Sequence, residues 1–153
     1  MLRLISVLTL LALSTTMAQA QDKPASNMDL LREKIRADKK LLVGTNMALT
    51  ETEGKAFWPV YDAYQADLGK LNQRTVKLVS DYAASYKAMT DAVAGTLLDE
   101  AIAIERDRAA MLQTYRPKFA AVLPATKVAR YYQIENKIRA ALNYELAANI
   151  PIM

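Results

Sequence analysis

The sequence predicts an all-α protein, an elongated four-helix arrangement built on a long antiparallel helical hairpin. Three observations predict it. Apolar side chains recur at spacings of three and four through every long segment, the period of one buried helical stripe. Glycine occurs only four times in 153 residues, and no alternating or β-branched run competes. Thr50 with Glu53 three residues on has the form of a capping box, which marks the start of the longest stretch.

Residues 1–20 read as an export signal. Arg3 supplies the positive end, residues 4–13 the short apolar run, and Ala18-Gln19-Ala20 a small-x-small cleavage site, so the mature chain is expected to begin at Gln21. The apolar run is shorter than the roughly 20 residues that a spanning helix needs, and no other stretch approaches that length, so no integral membrane segment is expected. No cysteine stands near the cleavage site, which excludes a lipoprotein. The location implied is the periplasm. Residues 21–27, with Pro24, form a polar leader, and residues 28–153 one helical domain.

The first helix is expected over residues 28–42, capped by Ser26 or Asn27 and ended by Gly44. Arg32, Lys34, Arg36, Lys39 and Lys40 make it basic. The long helix then covers residues 49–88, roughly 55 Å at 1.5 Å per residue. Its stripe is Phe57, Tyr61, Tyr64, Leu68, Leu71, Leu78 and Tyr82, and Pro59 should kink it. The aromatics around Pro59 (Phe57, Trp58, Tyr61 and Tyr64) fill the core at that kink, or form a partly exposed patch that holds apolar clients. With Arg32, Arg36, Lys39 and Lys40 they are the candidate partner-binding residues.

Residues 90–96, with Gly95, are the expected turn. A third helix starts at Thr96, or earlier at Thr90, and runs to about Val122. Its stripe holds Leu97, Ala101, Ile104, Met111, Tyr115, Phe119 and Val122, with Glu105 and Arg108 beside it and Pro117 bending its end. Leu123-Pro124 closes it. The fourth helix covers residues 125–150, capped by Thr126 or led in by Pro124, with Val128, Tyr131, Tyr132, Ile138, Leu142 and Leu146 on one face. Glu135 points to that face too, and could pair with Arg139 or with Arg108. Glu105, Arg108, Glu135 and Arg139 are therefore a candidate buried ion-pair cluster, whose plainer role is to fix helix register. The short turn makes the two longest helices antiparallel, with the outer helices covering their open face. Heptad-like runs also allow a seam with a second copy, a possible homodimer.

The chemistry is sparse. Without histidine the chain lacks the commonest general base and metal ligand, and without cysteine it lacks thiol chemistry. No glycine-rich phosphate loop, nucleophile elbow or calcium loop appears. No cofactor, metal or catalytic residue is expected, and the chain is not expected to be an enzyme. The formal charge of +4 falls to +3 once Arg3 leaves with the signal. That mild, interspersed charge gives no nucleic-acid patch.

Leu49-Thr50-Glu51-Thr52-Glu53 and Leu123-Pro124-Ala125-Thr126-Lys127 give the chain a resemblance to the Spy/CpxP-like exported helical proteins, whose signature is Leu-Thr-x-x-Gln at helix starts. The helix-start residues carried over are Leu49, Thr50, Glu53, Leu123 and Pro124. The sequence departs from the pattern where Glu53 and Lys127 stand for the glutamines and Pro124 for the second threonine. The resemblance implies a small periplasmic dimer with a basic, partly apolar surface. It would act as an ATP-independent chaperone for unfolded clients or as an accessory of an envelope-stress sensor kinase. A non-catalytic structural role in the envelope is the remaining alternative.

Overall fold

The computed structural model describes the backbone of residues 27–152 and the side chains of residues 37–152. The chain divides at Arg36 and Ala37 into two units, and every described side chain belongs to the second. The expected signal with Ala18, Ala20 and Gln21, the leader, and the side chains of Arg32 and Arg36 lie outside the described residues.

Among the described residues the structure is all-α. Four helices follow one another, α1 (Asn27–Met47), α2 (Glu51–Ser85), α3 (Asp91–Ala120) and α4 (Ala125–Asn149), with a 3-10 turn at Tyr86–Ala88 after α2.

The capping box forms as the spacing requires. Thr50 N donates to Glu53 Oε2 at 2.8 Å, and Glu53 N donates to Thr50 Oγ1 at 3.2 Å. Two of the orphan donors at the head of α2 are thereby satisfied. The helix runs for 35 residues, about 52 Å. It continues through Pro59, which is exposed, so the ring and the carbonyl that loses its donor lie away from the core.

The expected end of α1 and the expected turn are corrected, and the alternatives at the starts of α3 and α4 are decided. Gly44 does not end α1, which continues to Met47. Val43 and Met47 lie one turn apart and are both fully buried in the core. Stopping at Gly44 would leave Met47 undelivered, and burying such a side chain outweighs a local capping preference. The reversal falls instead on Ala48, whose φ of 46° is the left-handed region. Thr96 does not open α3. Thr90 is the cap, accepting from Val93 N at 3.3 Å, while the Thr96 hydroxyl donates back to Ala92 O inside the helix. Gly95 is therefore helical and the turn is confined to residues 86–90. Pro124, not Thr126, leads into α4. It has no side chain to cap with, and its carbonyl accepts from Lys127 N and Val128 N.

Helix direction follows from long-range contacts. Arg74 of α2 binds Glu100 and Asp107 of α3, while Asp67 meets Tyr115 and Phe57 meets Phe119, so α2 and α3 are antiparallel. Tyr131 packs on Phe57 and Tyr61, and Tyr82 reaches Pro151, so α4 runs parallel to α2. Lys40 meets Asp62 and Gly44 meets Trp58, so the described end of α1 is antiparallel to α2. The core lies where these four meet. Phe57, Tyr61, Phe119 and Tyr131 are almost wholly buried, with Phe119 and Tyr131 ring centres 4.7 Å apart.

Two outcomes are expected from this packing. Phe119→Ala should cost about 3–5 kcal/mol, whereas Leu98→Ala, exposed on α3, should change stability by less than about 0.5 kcal/mol. Urea unfolding followed by circular dichroism checks both. Ala48→Gly should raise stability by about 0.5–1 kcal/mol in the same assay, because glycine relieves the left-handed strain.

Candidate functional site

Of the two readings of the aromatics around Pro59, the core reading holds for Phe57, Tyr61 and Tyr64, with Trp58 packed against them from the side. Phe57, Tyr61 and Tyr64 are 0%, 1% and 3% exposed, so a partner cannot reach them in the folded chain. Trp58 is half-buried, packed edge-on against Phe57 and Tyr61. The reason is geometric. Their stripe faces α3 and α4, which bring Phe119 and Tyr131 to meet it. Burial raises the phenol pKa values of Tyr61, Tyr64 and Tyr131, aided by the negative charge of Glu135. A hydrogen bond to Asp67, with burial, pushes Tyr115 up to about 12. All four remain neutral across the physiological range, and the Tyr61 hydroxyl is left without a partner.

Of the basic candidates, Lys39 and Lys40 are both engaged within the fold. Lys39 Nζ lies 2.8 Å from Glu135 Oε2 and 2.9 Å from Gln65 Oε1. Lys40 Nζ binds Asp62 at 2.7 Å and sits 5.1 Å from the Trp58 ring centre. Such a cation over an indole is attracted by its electron-rich face.

The expected ion-pair cluster separates into two. Glu135 is buried as placed on the wheel of α4, but its partners are Lys39 of α1 and Gln65 of α2, not Arg108. Gln65 Nε2 also donates to the Tyr131 hydroxyl at 3.2 Å, so one polar chain ties three helices together. Arg108 and Arg139 both approach Glu105 instead, each at 3.6 Å. The Arg108 Nε is buried without a hydrogen-bond partner. The helical wheel gave the face of Glu135 correctly. It could not give the neighbour, because Lys39 is 96 residues away.

The two motif copies meet in space. Lys127 Nζ binds Glu53 Oε2 and donates to Ala48 O at 3.0 Å. The two positions that depart from the glutamine pattern are thus partners, an acid and a base in place of two amides. Leu123 is buried beside them, and Leu49 packs on the same core. The Lys127 hydrogen bond, with the Thr50 amide, holds the Glu53 carboxyl below its ordinary value.

An accessible apolar site lies at the opposite end of the hairpin. Leu78, Val79 and Tyr82 of α2, Met89 of the turn, Leu97 and Ala101 of α3 and Ile150 border a cleft of about 290 Å³. Leu98 also lines it and is more than half exposed, as are Val76, Ile102 and Leu142 on the three long helices, and Ile152 is 92% exposed. The α3 stripe carries alanine at 94 and 101, where it carries tyrosine and phenylalanine at 115 and 119. Short side chains leave the room that aromatics fill at the other end. The C-terminal residues are stapled over this end by Tyr82 and Tyr86, whose hydroxyls donate to Pro151 O at 2.7 Å and Ile152 O at 3.2 Å. Sequence periodicity assigned Leu78, Tyr82, Leu97 and Leu142 to the core. The change from aromatic to alanine along the α3 stripe was the available signal of an opening.

The lowered Glu53, Asp67, Glu100 and Asp107 carboxyls fix the sign of a pH effect. A depressed folded-state pKa adds stability above the unfolded value of about 4 and loses it as pH falls through the folded value. The melting temperature should therefore fall from pH 6 to pH 3. Glu53→Gln should lower it at pH 6 and flatten part of that decline, read by thermal melts across the range.

No protein-family model matches this chain, and no curated protein or solved structure matches it.

Proposed function

We propose that this chain is an exported, non-catalytic binding protein of the periplasm that holds unfolded or apolar protein partners. The observation that carries the reading is the cleft at the end of the hairpin, which is more apolar than the open cleft between Gly44, Trp58 and the head of α2. Exposed Val76, Leu98, Ile102 and Leu142 lie outside the aromatic core and add nothing to its packing. Leu98 joins the cleft wall to the exposed surface, and exposed apolar surface at a cleft marks an interaction site. The long charged helices supply the rim, with Lys77–Asp81 and Arg74–Glu100 pairs near the cleft. Such pairs steer an approaching partner more than they hold it. The absence of histidine and cysteine fits contact rather than reaction, and the apolar residues 4–13 with the small-x-small site after them support export. The resemblance to Spy/CpxP-like proteins points the same way.

The reading places the contact at the hairpin end, not at Phe57, Trp58, Tyr61 and Tyr64. The purified protein should suppress aggregation of a chemically denatured client at near-equimolar ratio, measured by light scattering. Leu98→Glu with Ile102→Glu, both on the exposed face of α3, should weaken that suppression several-fold while leaving the melting temperature almost unchanged. No suppression at either low or high salt sinks the proposal. A single saturable partner recovered by crosslinking in the periplasm, with no effect on clients, would favour the sensor-accessory role instead.

A further inference from the structure

Leu142 and Leu146 lie on the inward face of α4 and yet are exposed. They follow buried Tyr131 by eleven and fifteen residues, close to three and four whole turns, so they point to the same side. Every residue from Ala140 to Asn149 is nevertheless exposed, whichever way it points. After Arg139, therefore, α4 buries no face against the hairpin. It returns at its end, where Ile150 borders the cleft and Tyr82 and Tyr86 hold residues 151–152.

Observed contacts fix what stands across that gap. Arg139 meets Glu105 and Tyr132 meets Leu112, so along these antiparallel helices Leu142 is level with Ile102 and Leu146 with Leu98. Gln65 meets Glu135 and Tyr82 meets Pro151, so along the parallel pair Val76 is level with Leu146. The sides agree as well. Leu98 is two turns from Glu105 on the side of α3 that reaches α4, and Val76 is three turns from Gln65 on the side of α2 that does so. Val76, Leu98, Leu142 and Leu146 thus face one space from three helices, and they remain between 40% and 67% exposed.

The charge around that space is acidic. Asp91 stands three and seven residues before Ala94 and Leu98, which both line the cleft, and so shares their face of α3. Glu145 follows Tyr131 by fourteen residues and Ile138 by seven, and so shares the inward face of α4. Neither makes an ion pair among the described residues. Arg74 is taken by Glu100 and Asp107, and Lys77 by Asp81. Lys87 is the one other cation between Lys77 and Arg106, and Asp99 offsets it. This acidic end belongs to a chain whose formal charge is +4.

We infer that this end takes a basic amphipathic helix of a partner protein, with its apolar side chains between the hairpin and α4 and its lysines or arginines at Asp91 and Glu145. Leu98 with Ile102 and Leu142 with Leu146 are each spaced by four, the ridge spacing into which a helix packs. The cleft of about 290 Å³ holds roughly ten methylene-sized groups at about 30 Å³ each, enough for two leucine side chains. Apolar burial supplies the affinity, and the two carboxylates select the sign of the partner. A second copy fits less well, because a two-fold axis would set these acidic surfaces against each other. The inference rests on the reading of this end as the binding end and names the chemistry of what it holds.

The test is fluorescence anisotropy of a labelled amphipathic leucine–lysine peptide, titrated with the protein expressed from the full chain and purified as exported. A leucine–glutamate peptide of the same pattern and a scrambled leucine–lysine peptide are the controls. One saturable site is expected, with the amphipathic leucine–lysine peptide preferred over both. Asp91→Asn with Glu145→Gln should weaken it about three- to ten-fold and reduce its salt dependence. Leu98→Ser with Leu142→Ser should weaken it about ten-fold. All four positions are exposed, and thermal melts by circular dichroism establish that both variants fold. Absence of saturable binding overturns the inference, as do equal binding of either control peptide and unchanged affinity in either double variant. A concentration-dependent dimer that Leu98→Ser with Leu142→Ser abolishes, with no peptide bound, gives the surface to a second copy and overturns it too. Client protection without peptide binding defeats this inference alone, whereas peptide binding without client protection defeats only the chaperone reading.

Discussion

Phe119 touches Phe57, Tyr64 and Tyr131, so one ring of α3 is packed against both of the other long helices at once. Its ring stands in edge and tilted contacts at 4.7–5.9 Å, the spacing at which aromatic quadrupoles attract. Each such pair adds about 0.5–1.5 kcal/mol beyond the area it buries. Several share the same few residues, so removing one ring disturbs them together. The polar edges of these rings then set a second requirement. Buried tyrosine hydroxyls need partners, and the chain Tyr131–Gln65–Glu135–Lys39 supplies one while binding α1 to α2 and α4. Glu135 would be costly to bury alone. Lys39 and Gln65 make it a register pin rather than a liability.

How far the sequence foretold this depends on the range of the interaction. The capping box at Thr50 and Glu53 was legible because both partners lie within one turn. The α2 stripe was legible through Leu71 because helical period alone decides which face is apolar. Gly44 misled because a local signal for a helix end competed with the distant demand to bury Met47, and the tertiary demand won. Glu135 was placed on the right face with the wrong partner, since the identity of a neighbour depends on how helices align and not on their own period. The cleft was least legible of all. It is defined by missing side-chain volume at Ala94 and Ala101, and a periodicity count scores alanine as apolar without weighing its size.

Glu53 and Lys127 give a different lesson about motif reading. Taken separately, each is a departure from the Leu-Thr-x-x-Gln pattern. Together they are one contact between the start of α2 and the first turn of α4, with Lys127 also holding the carbonyl of Ala48 at the strained reversal. The two helix starts are thus fastened to each other and to the end of α1. Glu53 serves the cap and the bridge at once, so its carboxylate connects a local element to the tertiary fold. The energetic worth of a half-exposed pair of this kind is modest. Its value lies in bringing two chain reversals, α1 to α2 and α3 to α4, to one place.

These contacts divide the hairpin into two regimes. Near the start of α2, aromatic rings, the Glu135 network and the Glu53–Lys127 bridge concentrate on one short length of helix. Beyond Leu71 the same two helices are held by Arg74 with Glu100 and Asp107 and by partly buried leucines, while the tyrosine staples tie α2 and the turn after it to residues 151–152. Surface ion pairs contribute little each, so opening should cost least at this end. Regions that bind and adapt are drawn from the low-stability part of a fold. A rigid aromatic joint at one end therefore does more than stabilise the chain. It fixes α2 and α3 against each other and lets the other end keep its apolar cleft open without unfolding the whole.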